Sequence, residues 1–428
     1  MLFLNELISQ IPKLFLHPLL YFGVIIIILQ YRRQISLERK LFSSRLHSLS
    51  FEVISSLGFG LLGGLLASSL MIVLGVVFNP TDMLLVWLIT LILIMFHIRF
   101  LCLSYSTGIL GVIAGLIQLY ETPLRTFIDQ IAVSWLAQGL DIFVDVHIPS
   151  LIAITAILHL VEAVLIKLQS SRQATPLFLQ TKRGKLIGGF HIQSAWLLPL
   201  FLVVSVNDSS QGLSLFGSWW PLITGGTALS LVFLPIPAMI GYSDLTSVYT
   251  PKEKSNSAFM YLLIYSLVLL GLAIGAEYLP RMELVAALFA GLGHEAIYKI
   301  SHRKEDKLPD KFVHPSDGLR VLAVIPGSLA DRMGIVSGEI IKKVNGTPVA
   351  TREELYYALQ KQSAFTKLEI INLAGYLKFA QHSIYANDHH QLGIILAPDD
   401  QAKFFIETAE TNLFSLIKQQ VKKISRGA

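Results

Sequence analysis

Charge is scarce in this sequence. Only 15% of its 428 residues are Asp, Glu, Lys or Arg and 53% are hydrophobic, whereas an ordinary soluble protein carries about 25% charge. That balance excludes a single soluble globule. Cysteine is scarcer still: the one thiol, Cys102, lies in an apolar stretch. Neither a disulfide framework nor a cysteine metal cluster can form within one chain, and the redox compartment stays open. Long uncharged runs make up most of the first 300 residues, and the remainder has the mixed composition of a globular domain. The chain is therefore divided between bilayer and water. Its net charge of +5 comes mainly from basic residues in short loops beside apolar runs, where they orient helices in a membrane rather than bind nucleic acid.

A helix needs about 20 mainly apolar residues to cross a bilayer. Residues 14–29, 54–78, 83–96, 101–119, 148–165, 195–206, 219–241 and 259–279 meet or approach this, which predicts roughly six to nine spans. Residues 83–119 form either two tightly joined spans or one span plus a re-entrant piece, since only His97 and Arg99 interrupt them. The first run is followed by Arg32 and Arg33 without a small-residue cleavage site, the pattern of an uncleaved anchor rather than a signal peptide. The loop with Arg32, Arg33, Arg39, Lys40 and Arg45, and the loop with Lys167, Arg172, Lys182, Arg183 and Lys185, are predicted to be cytoplasmic. Residues 79–82 and 207–218 carry no Lys or Arg, and residues 121–147 hold four acids against Arg125 alone, so these are predicted to lie outside. Residues 282–300 are followed by His302, Arg303, Lys304, Lys307 and Lys311. If that stretch crosses or re-enters, the C-terminal part is cytoplasmic. Between Thr122 and Phe143, apolar residues such as Leu124, Phe127, Ile128 and Ile131 recur at helical spacing, predicting either an interfacial helix or a loop helix packed on the spans.

Gly60 and Gly64, Gly111 and Gly115, and Gly271 and Gly275 are each four apart, a spacing that lets helices approach closely. His159 and Glu162 share one helical face. At membrane depth such a pair is either a proton or substrate route or a satisfied polar contact between helices, and no sister half repeats it as a transporter repeat would. His294 and Glu295 begin a His-Glu-x-x-His pattern, but Tyr298 stands where the second zinc ligand belongs. A Gly-x-Ser-Gly nucleophile turn with its own soluble catalytic domain is absent, as is a Gly-rich phosphate loop. No catalytic residue, metal ligand or cofactor is assigned.

From Gly318 short strands and turns take over. Residues 318–325 alternate as a strand and end at Pro326 and Gly327; Ser328 caps a short helix ended by Gly334, and the strand 340–344 closes at Asn345 and Gly346. Thr351 caps a helix with Leu355, Tyr356, Ala358 and Leu359 as apolar positions, and Glu354 completes a capping box. The string from Gly318 to Gly346 resembles the signature of bacterial PDZ domains, with Glu339 where that family usually has Asp. The resemblance implies a small helix-capped sheet that takes a peptide as an added strand. It also implies a hydrophobic-Gly-hydrophobic loop for the peptide's terminal carboxylate. Leu392, Gly393 and Ile394 supply one after the last strands, as in the circularly permuted bacterial type, with Leu355 and Leu359 on the helical wall. The other reading of residues 392–396 is a closing core strand. Past Pro398, apolar residues including Phe404, Leu413 and Ile417 repeat at helical spacing, with Lys418, Lys422, Lys423 and Arg426 at the far end. This predicts an amphipathic helix that binds a partner or membrane surface, or else packs on the domain.

The predicted fold class is therefore a polytopic α-helical membrane domain followed by a small α+β PDZ-like domain. Its divisions are residues 1–300 for the membrane domain, 301–312 for a basic linker, 313–398 for the PDZ-like domain and 399–428 for the amphipathic helix. This layout, with stretches such as residues 99–111 and 282–295, resembles the MinJ family, cell-division topological determinants of Gram-positive rods. The resemblance implies a non-enzymatic adaptor at septum and poles. It would bridge a polar DivIVA-type protein to MinD and the MinCD division inhibitor, with a peptide or C-terminal tail in the PDZ groove and the bilayer concentrating weak contacts. The competing classes are a transporter with a regulatory PDZ module and a membrane-protease regulator.

Overall fold

The computed structural model describes residues 2–42, 44–131, 134–181, 184–206, 220–223, 230–279, 281–362, 364–383, 392–399 and 406–407. The chain begins with helices α1 (Leu2–Phe15), α2 (Pro18–Phe42) and α3 (Leu49–Leu74), the short strand β1 (Val77–Phe78), and helices α4 (Pro80–Phe96) and α5 (Leu103–Leu119). Then come α6 (Glu121–Ile131), α7 (Ser134–Val144), α8 (Ile148–Gln169), strands β2 (Thr175–Gln180), β3 (Leu186–Val206) and β4 (Ser230–Thr246), and helices α9 (Pro251–Tyr278) and α10 (Met282–Glu305). Among the described residues α3, α9 and α8 with its short 3-10 extension can cross a membrane by length and composition, and the count reaches five if the bent pairs α1–α2 and α5–α6 are each one span. These apolar helices fit a membrane protein. Local chemistry sets their ends. Asn79 accepts from the Thr81 N–H at the start of α4, Thr250 and Glu253 form a capping box on α9, and α3 stops at Gly75, whose φ of 65° is left-handed.

Two expected helical spans are instead strands. Residues 195–206 belong to β3, and the described part of 219–241 belongs chiefly to β4; the two strands pair antiparallel from Phe190↔Thr246 to Val206↔Ser230. Proline explains the departure. Pro199, Pro235 and Pro237 would break helices in mid-run, at about 3 kcal/mol or more each. In the hairpin Pro199 faces Pro237 and Phe201 faces Pro235, so all three prolines share one class of pair. The Phe201 N–H in that class points away from β4, to Ser68 Oγ at 2.9 Å. The prolines thus stand where the ladder asks no N–H of them.

A strand edge in apolar surroundings must still satisfy its remaining polar groups. Helix α3 does this with a row of small residues four apart, Ser56, Gly60, Gly64 and Ser68, laid along the outer edge of β3. Ser56 Oγ donates to the Ala195 carbonyl, and Ser68 Oγ accepts from Phe201. A Cβ on Gly60 would stand 2.4 Å from the Leu197 oxygen, and one on Gly64 would stand 2.7 Å from the Pro199 oxygen. The glycine pair therefore serves close approach, but of a helix to a strand. Gly111 and Gly115 do pack a helix on a helix, against Ala287 and Leu284 of α10, whereas Gly271 meets nothing within 4 Å.

Residues 83–119 form a helical hairpin that turns back at mid-height. Asp82 accepts from the His147 N–H, and Gln118 donates to the carbonyls of Val144 and Val146, so both of its outer ends lie together. At its tip Ser104 sits 3.3 Å from His159 Nε2, while α8 continues to Gln169, a further rise of about 15 Å. The stretch expected to be one interfacial helix is two, α6 and α7; residues 132–133 lie outside the described set.

The C-terminal region holds β5 (Leu319–Val324), α11 (Leu329–Arg332), β6 (Ile340–Val344), β7 (Thr347–Pro348), α12 (Arg352–Gln360), β8 (Phe365–Ile371), β9 (Leu377–Ser383) and β10 (Ile394–Leu396). Its sheet order is β10-β5-β6-β8-β9, with β7 on β6. Ser328 caps α11, and Thr351 with Glu354 forms the capping box on α12. Leu319, Val321, Ile341, Val344, Leu368 and Ile370 form the middle of its core. The other face of β5 and β10 is also covered: Leu322, Ala323 and Ile395 pack with Phe312 against Phe190 of β3, beside Phe42, Leu46 and Phe178. The Gly188 N–H donates to the Phe312 oxygen at 2.8 Å, and the Lys311 N–H to the Ser247 oxygen at 3.0 Å. The sheet domain is thereby seated on the end where β2 turns into β3 and where β4 finishes. Arg320 secures the linker by donating to the carbonyls of Val313 and Gly338, and burial draws its pKa down.

Candidate functional site

Strand β10 ends its sheet. It pairs antiparallel with β5 through Ile394↔Val324, Ile395↔Ala323 and Leu396↔Val321, and among the described residues no strand occupies its other edge. Side chains alternate along it. Ile394 and Leu396 join the domain's own core cluster, as does Leu359 of α12, and all three stay half-buried; Ile395 faces the membrane region. An open strand edge beside a half-open apolar row has the form that takes an extended peptide, main chain to main chain, with alternate side chains in pockets.

The residues singled out from the sequence do not all stand alike. Leu392 and Leu355 are only 4% and 9% exposed and belong to the domain's buried core cluster. Leu359, one turn beyond Leu355 on α12, is partly open, while Tyr356 and Tyr357 are exposed. Gly393 has a φ of +76°, and a Cβ there would stand 2.3 Å from Ser328 Cβ. Its carbonyl accepts from the Ile325 N–H at 2.8 Å, and the Leu392 carbonyl accepts from the Ala330 N–H at 2.9 Å. The loop is thus fastened by two carbonyls, one to the residue that follows β5 and one to the start of α11, and only glycine follows that path without strain. Glu339 holds its turn: it accepts from the Val336 N–H at 3.0 Å and pairs with Lys378 at 2.9 Å.

In the helical region, His159 turns toward Cys102 and Ser104, and Glu162 lies a turn further along α8, half-buried. Glu295 does not sit at a zinc site of its own. It pairs with Arg99 at 3.2 Å and accepts from the Tyr105 hydroxyl at 2.9 Å, while the Tyr298 ring lies under Arg99, 4.6 Å from the guanidinium. His294 reaches Cys102 instead. Sequence spacing gave no sign of that gathering, because its members are 57 and 192 residues apart. The expected C-terminal amphipathic helix lies outside the described residues, save for Ile406–Glu407, which pair parallel with Leu179–Gln180.

Comparison with known proteins agrees with this architecture. Residues 320–370 match the family model of the PDZ domain. Over 407 residues the chain is 31% identical to the cell division topological determinant MinJ of Bacillus subtilis (strain 168), covering 92% of this chain and 96% of that protein. It is 23% identical over 268 residues to a probable cell division topological determinant MinJ of Lacticaseibacillus paracasei, covering 60% of this chain and 68% of that one. With apolar helices first, a PDZ domain after them, and that identity along nearly its full length, the chain belongs to the MinJ family of cell division topological determinants.

Proposed function

We propose that this chain is a non-enzymatic membrane adaptor in division-site selection, linking a polar DivIVA-type protein to the MinCD inhibitor at septum and poles. The observation that carries the proposal is the edge of β10 that no strand occupies among the described residues, flanked by Ile394, Leu396 and Leu359. The groove it forms with α12 takes a peptide or C-terminal tail, with Leu392, Gly393 and Ile394 as the carboxylate loop and Leu355 supporting Leu359 from the core. Strand addition supplies modest affinity, and confinement to a bilayer raises the effective concentration of weakly bound partners. The names of its relatives describe division topology, and the role asks for no reacting group.

The PDZ domain is cytoplasmic on this reading, and two features support it. The domain rests on the end of the molecule that carries Arg39, Lys40, Arg45, Arg172 and Lys185, the basic side of a membrane protein. The hairpins α4–α5 and β3–β4 each return to the end they start from, so replacing pairs of spans by them leaves the side unchanged.

Two experiments test the proposal. In a Gram-positive rod lacking this chain, a fluorescent MinD-type protein should lose its enrichment at septa and poles; the intact chain should restore it and Leu359→Asp should not. Enrichment that persists without the chain refutes the adaptor role. With Asp317→Cys added to the otherwise unchanged chain, an impermeant thiol reagent should give intact cells no labelling beyond that of the parent. Extra labelling from outside refutes the cytoplasmic side.

A further inference from the structure

We infer that Cys102, His159 and His294 form a binding site for a single transition-metal ion, best matched by Zn²⁺, that ties α5, α8 and α10 together at mid-height. One ligand atom from each of the three lies within 4.8 Å of both others. Cys102 Sγ is 3.2 Å from His159 Nε2 and 3.5 Å from His294 Nε2. Around a tetrahedral ion with ordinary zinc bond lengths, neighbouring nitrogen and sulfur ligands stand about 3.6 Å apart, so both sulfur–nitrogen separations already lie close to those of a shared ion.

The hydrogen bonds around the cluster direct lone pairs inward. His159 Nδ1 lies 2.8 Å from the Thr155 carbonyl, which can only accept, so Nδ1 carries the proton and Nε2 presents its lone pair to the cluster. The Tyr265 hydroxyl donates to the Ala290 carbonyl at 2.7 Å, which leaves it accepting from Ser104 Oγ at 2.7 Å. The Ser104 proton is therefore committed, and its oxygen faces His159 Nε2 at 3.3 Å with a lone pair of its own. Two acceptors thus face each other beside a thiol, an arrangement that a cation stabilises. His294 Nδ1 is buried without a partner among the described residues, so the polar contact that orients this ring is the one its Nε2 makes with Cys102. Binding replaces the Cys102 proton, which leaves to solvent, by the metal; two imidazole nitrogens complete a sulfur- and nitrogen-rich set suited to Zn²⁺. Ser104 Oγ or a water serves as the fourth ligand.

Because Cys102 is the chain's one thiol, its reactivity reports on the site directly. Untagged full-length protein in detergent is stripped with a chelator, and Cys102 alkylation by N-ethylmaleimide is timed with and without Zn²⁺. Zn²⁺ should slow alkylation about tenfold or more, and chelator should restore the rate. Co²⁺ should bind at about one ion per chain with a thiolate-to-metal charge-transfer band. His159→Ala and His294→Ala should each lose the protection, and Cys102→Ser the band; His302→Ala, on the same helix as His294 but outside the cluster, should keep both. An alkylation rate indifferent to Zn²⁺, or equal protection in both histidine variants, overturns the inference and leaves a thiol–imidazole hydrogen bond only. The unmutated chain alone decides this if a variant fails to fold.

Discussion

Replacing Gly64 by Ala tests whether α3 lies on a strand edge, because the structure reverses the sign expected of an isolated helix. In a helix interior Ala is favoured over Gly by about 1 kcal/mol. Here the added Cβ would stand 2.5 Å from Pro199 Cδ, 2.7 Å from its oxygen and 2.8 Å from its nitrogen. Backbone and a fixed ring cannot swing aside, so α3 must retreat by about 1 Å to reach ordinary contact, an overpacking that costs about 1–3 kcal/mol. The retreat also stretches the bonds of Ser56 to Ala195 and Ser68 to Phe201, each worth about 1 kcal/mol. The net expectation is a loss of about 2–3 kcal/mol. Gly58 lies on the same helix with nothing within 4 Å of its Cβ position, so Gly58→Ala should be neutral or stabilising. Unfolding of the detergent-solubilised protein by increasing SDS measures both. A Gly64→Ala variant as stable as Gly58→Ala would refute the packing of α3 on β3 and restore the helical reading of residues 195–206.

Three further outcomes follow from the same geometry. In the PDZ domain, Gly393→Ala should cost about 2–4 kcal/mol from left-handed strain plus the clash with Ser328, seen as a lowered Tm, so loss of peptide binding there has a folding cause; Leu359→Asp, at a half-open site, should abolish binding of a C-terminal peptide in calorimetry with little change in Tm. Phe312→Ala removes a fully buried ring between the PDZ domain and β3 and should cost about 3–5 kcal/mol of docking, read as faster proteolysis of the linker around residues 306–317; unchanged cleavage would contradict the docking. His47 contributes a pH dependence. Burial alone would lower its pKa, but its hydrogen bond and charge interaction with buried Glu38, 2.5 Å away, raise it above the usual 6.5. The stability it adds is therefore full below pH 6.5 and lost as pH rises through the folded value, so Tm should fall over that range in the parent and stay flat in Glu38→Gln.

The PDZ domain was legible because its signals are local. Ser328, Gly334, Asn345-Gly346 and the Thr351–Glu354 box each fix a cap or turn within four residues, and such chemistry needs no partner from elsewhere. The β3–β4 hairpin was not read, since hydropathy alone cannot separate a buried strand from a buried helix. The overlooked cue was Pro235 and Pro237 in one apolar run with Pro199 in another. At the candidate site, Leu355, Leu359 and Ile394 were placed by a family signature, whereas the burial of Leu355 and the partial opening of Leu359 depend on packing across the domain, which no local pattern encodes. The gathering of Cys102, His159 and His294 depends on three helices meeting, and no spacing rule within one segment encodes that.

The length of β3 has a mechanical meaning. It is one unbroken strand of 21 residues, about 65 Å from end to end. Its near end carries Phe190, which packs with Ile395 of β10; its far end pairs with β1 at the opposite pole of the helical region. Within the described residues no loop interrupts it, so the end of the helical region that bears the PDZ domain and the end that bears β1 are tied by one continuous hydrogen-bonded beam.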